Sequence, residues 1–199
     1  MLFDSVFDPP PGRHLHFGFA QAHWERRGYH ALRRAIFCEE QKVFSGDDRD
    51  AHDAQAVPII AVRNCMGMGD EVVGAVRIHE DEPGRWWGSR LCVDRAYRSV
   101  TRFEAHGVFE DARTKARFSS VGAALIYKAV STAHALGCER FLAHVQHQNV
   151  ALFKRLHWRS VEEIELHGLP HHEMEADLSQ YPPSAFAHEL EPCYERVAP

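Results

Sequence analysis

The position of one helix constrains this chain more than any other feature. Residues 117–130 read Arg117-Phe-Ser-Ser-Val-Gly-Ala-Ala-Leu-Ile-Tyr-Lys-Ala-Val130, a short polar loop running into an amphipathic helix. Ser119 and Ser120 stand where an N-cap is expected, and Gly122 and Ala123 leave the first turn bare. Leu125, Ala129 and Ala133 continue an apolar stripe at helical spacing, and Gly137 is placed to end the helix. A bare helix start exposes N–H groups at the positive end of the dipole, which suits a phosphate. An ordinary capped helix looks the same, so the surroundings have to decide.

Before this helix the chain is mostly strand. His14 to Ala20 alternates, with Leu15, Phe17 and Phe19 on one face. Trp24 to Gln41 turns helical, with Trp24, Leu32, Ile36 and Phe37 available for an inner face. Residues 57–62, 71–79 and 89–93 read as three strands, the first two joined by a turn containing Gly67-Met-Gly69-Asp70. Segment 99–116 is a polar, charged insertion: a lid, an oligomer contact or a disordered excursion. After the helix come a strand (140–146), a short helix (149–156) and two strands (161–166 and 174–178) joined at Gly168-Leu-Pro170. This order predicts an α/β (α+β) fold: a central mixed, mostly antiparallel sheet flanked by helices, with a β-α-β core. Residues 14–182 form one domain, 1–13 (with Pro9-Pro-Pro-Gly12) an arm and 183–199 a tail.

Composition narrows the classes. The formal net charge of −5 argues against a nucleic-acid partner. The sequence carries no run of about 18 apolar residues, so no membrane span is expected. Its start lacks the pattern of a signal peptide. Cys38, Cys65, Cys92, Cys138 and Cys193 are odd in number and lack CxxC spacing, which fits reduced thiols in a cytoplasmic protein.

Arg117-Phe-Ser-Ser-Val-Gly122 resembles the pyrophosphate-binding loop of the GNAT acyltransferases, Q/R-x-x-G-x-G/A, with Ser120 in place of the first glycine. The order of elements is also the GNAT order. Longer stretches are more specific. Ala31 to Gln41, Asp48 to Asp53, Trp86 to Leu91, Gly137 to Gln146, Asn149 to Trp158 and Gly168 to Leu178 together resemble the bacterial "nitrogen starvation" N-acetyltransferase family. The first half is also similar to acyl-homoserine-lactone synthases, through Arg-x-x-Phe on the first helix, Asp50 with Asp53, and Arg77 on the following strand.

The GNAT resemblance implies acetyl-CoA as co-substrate and a small-molecule amine as acceptor; dimers are common in that superfamily, and a homodimer is allowed here. It implies pyrophosphate binding by Ser119, Ser120, Val121, Gly122 and Ala123, flanked by Arg117. It places the pantetheine and the oxyanion donors along Leu91, Cys92 and Val93, and Asn149 near the CoA arm. A tyrosine often protonates the leaving thiolate in that superfamily; here the matching residue is Phe153, with Tyr97 and Tyr127 as substitutes. Glu39 and Glu40 end the first helix beside the acceptor cleft, and Glu40, four residues from Ile36, is preferred as base. His171 lies in the last hairpin on the acceptor side and is the second catalytic candidate.

Arg77, Trp87 and His144 are the candidate substrate contacts. Arg77 is either an ion pair at the core edge or an anchor for an anionic group. Trp86 and Trp87 point to opposite faces, one into the core and one toward a pocket. Asp48, Asp50 and Asp53 form an acidic cluster suited to a cationic acceptor, without the order of a calcium loop. His14 with His16, or His144 with Gln146, have strand spacing for two ligands on one face but lack an evident cysteine or carboxylate partner, so no metal is expected. Besides the transferase, two readings stay open: a synthase using S-adenosylmethionine, and a GNAT-fold module that binds acyl-CoA without turnover.

Overall fold

The computed structural model describes residues 14–65, 68–108 and 118–190. The expected arm (1–13), the second part of the insertion (109–116), Met66, Gly67, Arg117 and the end of the tail (191–199) lie outside the described residues.

Eight strands form one sheet in the order β5-β1-β2-β3-β4-β6-β8-β7. They are β1 (His14–Phe19), β2 (Val57–Cys65), β3 (Met68–Glu82), β4 (Arg85–Val93), β5 (Glu104–His106), β6 (Arg140–Gln146), β7 (Trp158–Leu166) and β8 (Leu169–Ala176). The pairs β1–β5 and β4–β6 are parallel and the others antiparallel. The mixed, mostly antiparallel sheet therefore has the predicted form.

Helix α1 (His23–Arg34) covers one face, and α2 (Val121–Ala135) the other, followed by the short α3 (Val150–Arg155). Ser120 caps α2, its hydroxyl accepting the Ala123 N–H at 3.1 Å. Gly137, at φ +93°, follows the last turn, as its place in the sequence predicts. The α2 side of the sheet carries the larger core, where Leu15, Phe17, Ile59, Val73 and Ile78 meet Leu125 and Val130. Gly74 lets that helix close in, since a Cβ there would lie 2.8 Å from Leu125 Cδ1. Cutting Leu125 to alanine should cost about 2–5 kcal/mol. On the opposite side, Tyr29, Leu32 and Ile36 pack on Ile60, Val62 and Ala75.

The structure corrects several sequence expectations. Trp24 is 37% exposed, and Tyr29 takes its place inside. The first helix ends as a π-helix over Ala35–Glu40. Part of the insertion is neither lid nor excursion: Glu104–His106 adds β5 along β1. Met68 to Asp70, expected in a turn, belong to β3, and the last hairpin turns at His167 and Gly168 so that Leu169 and Pro170 already lie in β8.

Candidate functional site

The site forms where two parallel strands part. The β4–β6 ladder runs from Arg85 opposite Arg140 to Gly88 opposite Ala143 and stops. Beyond it β6 stays paired with β8 to Gln146, while β4 continues to Val93 against β3. The edge of Ser89–Val93 away from β3 thus faces an opening.

Arg90 sits at φ +55°, and the β3–β4 register shifts around it. The alternation of β4 is reset there. Trp87, Ser89 and Arg90 face the α1 side, where Ser89 and Arg90 hydrogen-bond Arg77 and Asp48. Cys92 also faces α1, in the core; burial pushes its thiol up to about 12. Only its backbone is available to a ligand. Leu91 and Val93 face the α2 side.

A cavity of about 540 Å³ crosses the sheet at this opening. Its α1-side walls carry the polar groups of Arg77, His79, Trp87, Ser89, His144 and Gln146 beside the rings of Phe37 and Phe44. Its α2-side walls are apolar: Ile126, Val130, Phe141, Val145, Phe153 and Trp158. Asn149 and Leu91 also line it, and His171 closes it from β8. The start of α2 lies beside the end of β4, for a Cβ at Gly122 would have Val93 Cγ2 3.8 Å away. The side chains of Val121 and Ala123 turn into the core, so their backbone is what they can offer. Ser119 is exposed at the same end.

Beneath the polar wall lies an ion network. Arg33 donates to Asp48 at 2.8 Å and to both oxygens of Asp53. Arg77 donates to Asp50 at 2.6 and 2.9 Å, to Ser89 at 3.0 Å, and lies 2.8 Å from Asp53. Arg90 joins Asp48 to Asp50. Burial alone would raise the Asp53 carboxyl. Hydrogen bonds from Arg33 and the Asp50 N–H outweigh it and hold the group well below the usual carboxylate range. Three guanidiniums against three carboxylates leave no net charge, which corrects the expectation of an acidic cluster open to a cation. Of the two alternatives for Arg77, the ion pair is the one found. The buried arginine of α1 is Arg33, whereas Arg34 of the Arg-x-x-Phe motif is exposed beside Glu39. Its signal would have been Arg33 standing one turn before Phe37.

Trp86 is core and Trp87 lines the cavity, as opposite faces require. The Trp87 indole donates to Asp81 at 2.9 Å, and its ring lies 4.7 Å from that of His144. His144 Nε2 is 3.6 Å from a Glu173 oxygen. His171 contacts the Leu169 carbonyl through Nδ1 at 2.9 Å. Sequence reasoning missed His79. It is buried against His52, its Nδ1 has no partner among the described residues, and burial, with His52 and Arg77 beside it, pushes it down to about 4.

Glu40 is not among the cavity walls; Arg98 grips it with two bonds of 2.6 and 2.8 Å and keeps its carboxyl below the usual range. Phe153 packs edge-on to Trp158, and neither Tyr97 nor Tyr127 lines the cavity. At the far edge of the sheet, Glu104 supplies the carboxylate that the sequence did not reveal beside a histidine. It lies 3.2 Å from His14 and 3.7 Å from His106, all three exposed and apart from the cavity.

An acyl-CoA N-acyltransferase from Pseudomonas aeruginosa superposes with a TM-score of 0.59 at 17% identity, covering 81% of this chain and 98% of its own. An acetyltransferase of the GNAT family from Staphylococcus aureus gives 0.53 at 9% identity, covering 81% and 98%. The fold is the GNAT fold. The CoA-dependent acyl-homoserine lactone synthase BjaI, solved with SAM and isopentyl-CoA, gives 0.56 at 15% identity, covering 84% and 85%. No protein-family model and no curated protein matches the sequence. Among the described residues, no helix is long and apolar enough to cross a membrane.

Proposed function

We propose that the protein is an N-acyltransferase that moves an acyl group from acyl-CoA to the amine of a small molecule. The parting of β4 and β6 beyond Gly88 and Ala143, beside the bare start of α2, carries this reading. Pyrophosphate would sit on the first N–H groups of α2. Since Ser120 occupies the Ala123 N–H, the donors narrow to Val121 and Gly122, with Ser119 at the flank. Pantetheine would run along Ser89–Val93 with Asn149 across from it, and β4 backbone N–H groups would receive the oxyanion. Acetyl-CoA is the reference donor, and the resemblance to the "nitrogen starvation" N-acetyltransferases supports it.

The amine enters from the polar side. Its nitrogen attacks the thioester carbonyl, a C–N bond forms, the C–S bond breaks, and the proton lost by nitrogen is matched by one gained by the thiolate. Phe153 offers no proton. A thiol of pKa about 8.5 leaves with little help. His144 is the base this geometry favours over Glu40: burial lowers its pKa, so it stands neutral and able to accept, with Glu173 behind it. His171 is the second candidate on that wall, and Arg77 holds Ser89 and the loop of Asp50 in place.

Calorimetric titration of CoA and acetyl-CoA into the wild type and Gly122→Trp tests the donor site. Micromolar binding lost in the variant supports it; no binding by the wild type overturns it. Release of free CoA in the presence of an amine panel tests turnover. A protein that binds but acylates nothing is a binding module. The similarity of fold to BjaI supports a second reading, an acyl-homoserine-lactone-synthase-like enzyme, which would require S-adenosylmethionine for product.

A further inference from the structure

The cavity changes character as it crosses the sheet. On the α1 side it offers guanidinium, imidazole, indole and hydroxyl groups beside Phe37 and Phe44. On the α2 side the lining has no charged or titratable side chain. Trp158 Nε1 in that wall is already satisfied by the Tyr181 hydroxyl at 3.1 Å. Small residues keep the space open: Gly88 on β4, Ala143 on β6 and Ala129 on α2. A Cβ at Gly88 would lie 3.0 Å from Phe141 Cε1.

An acetyl group ends in one methyl and needs little of this. Apolar spaces that make no polar demands stay dry and take apolar ligands. The thioester carbonyl belongs at the opening, because the nucleophile comes from the polar side and the oxyanion donors lie on β4. Whatever the carbonyl carries then points under the sheet toward α2. We infer that the preferred donor is an acyl-CoA longer than acetyl, its tail seated between Ile126, Val130, Phe141, Val145, Phe153 and Trp158. The inference rests on the acyl-CoA reading above and refines the donor class.

Each methylene taken from water into such a space should tighten binding about fourfold. CoA, acetyl-CoA, butanoyl-CoA, hexanoyl-CoA and octanoyl-CoA are titrated calorimetrically into the wild type and into Ala129→Phe, which fills the apolar half. CoA itself should bind both proteins alike. Affinity should climb with chain length in the wild type and stay flat in Ala129→Phe. Equal affinity for acetyl-CoA and the longer donors in the wild type overturns the inference and leaves the acyl-CoA reading standing. A climb that persists in Ala129→Phe overturns the placement of the tail. Failure of CoA itself to bind removes both. The wild-type series needs no variant, so the outcome does not hang on Ala129→Phe folding.

Discussion

Gly88 and Ala143 are the last residues of β4 and β6 to face each other, and a side chain at Gly88 would meet the Phe141 ring at 3.0 Å. The opening therefore begins at a position where bulk cannot be absorbed. Gly88→Val should lower stability by about 1–3 kcal/mol through overpacking. It should weaken acyl-CoA binding roughly tenfold or more, about 1.4 kcal/mol at least. Urea unfolding and calorimetry measure the two separately; unchanged binding would place the donor elsewhere.

The arginine network should make stability fall in acid. Asp50 and Asp53 both titrate below their ordinary values because arginines outweigh the cost of burial. A depressed carboxylate contributes stability that is whole above its unfolded pKa of about 4 and is lost as pH falls toward the folded value. Urea midpoints should drop steeply below about pH 4. Asp53→Asn should lose about 3–5 kcal/mol at neutral pH, leaving Arg33 and Arg77 underpaired, and show a flatter acid limb. An unaltered limb would mean the network carries no such linkage.

His79 predicts a second, milder slope. Its folded pKa of about 4 lies below the unfolded 6.5, so protonation favours the unfolded chain. Stability should decline as pH falls from 6.5 toward 4, by about 1–3 kcal/mol from this group. His79→Gln should make that slope shallower, leaving the share of His16, His30 and His144, whose burial lowers them too, and the steeper fall below pH 4. The comparison is made by urea titration at fixed pH steps.

Glu40 gives a discriminating variant. Its pair with Arg98 is solvent-exposed, so Glu40→Gln should change stability by less than about 1 kcal/mol. If His144 is the base, kcat of Glu40→Gln stays near the wild type, while His144→Ala loses about 100-fold or more. The reverse pattern would restore Glu40 to the role its helical spacing suggested.

How legible this was depended on where each signal lives. Leu15, Phe17 and Phe19 announce β1 because half-burial writes a period of two into the sequence. Ser120 and Gly137 bracket α2 because helix ends demand special residues. β5 was illegible: Glu104-Ala-His106 is three residues long, polar, and held by backbone pairing with β1. Arg33 was illegible for another reason. A basic pair in a helix looks solvated, and Arg33 is buried by Asp48 and Asp53, fifteen and twenty positions away, together with Tyr29 one turn before it. Within the site, strand alternation pointed to Trp87 and His144 and the GNAT resemblance to Leu91, Asn149 and His171, and all five line one cavity. It misplaced Glu40, since the π-helix turn at Ala35–Glu40 breaks the stripe from which its direction was read.

The left-handed residue at Arg90 has a consequence for how this chain can change. A regular strand commits every second residue to the same side of its sheet. Arg90 releases β4 from that commitment midway, so Ser89 and Arg90 both face α1 while Leu91 faces α2, and the five residues Trp87 to Leu91 furnish walls to both halves of the cavity. Straightening β4 at Arg90 without removing a residue would turn Leu91 and Val93 to the α1 side together, whereas deleting Arg90 would restore plain alternation and leave both facing α2.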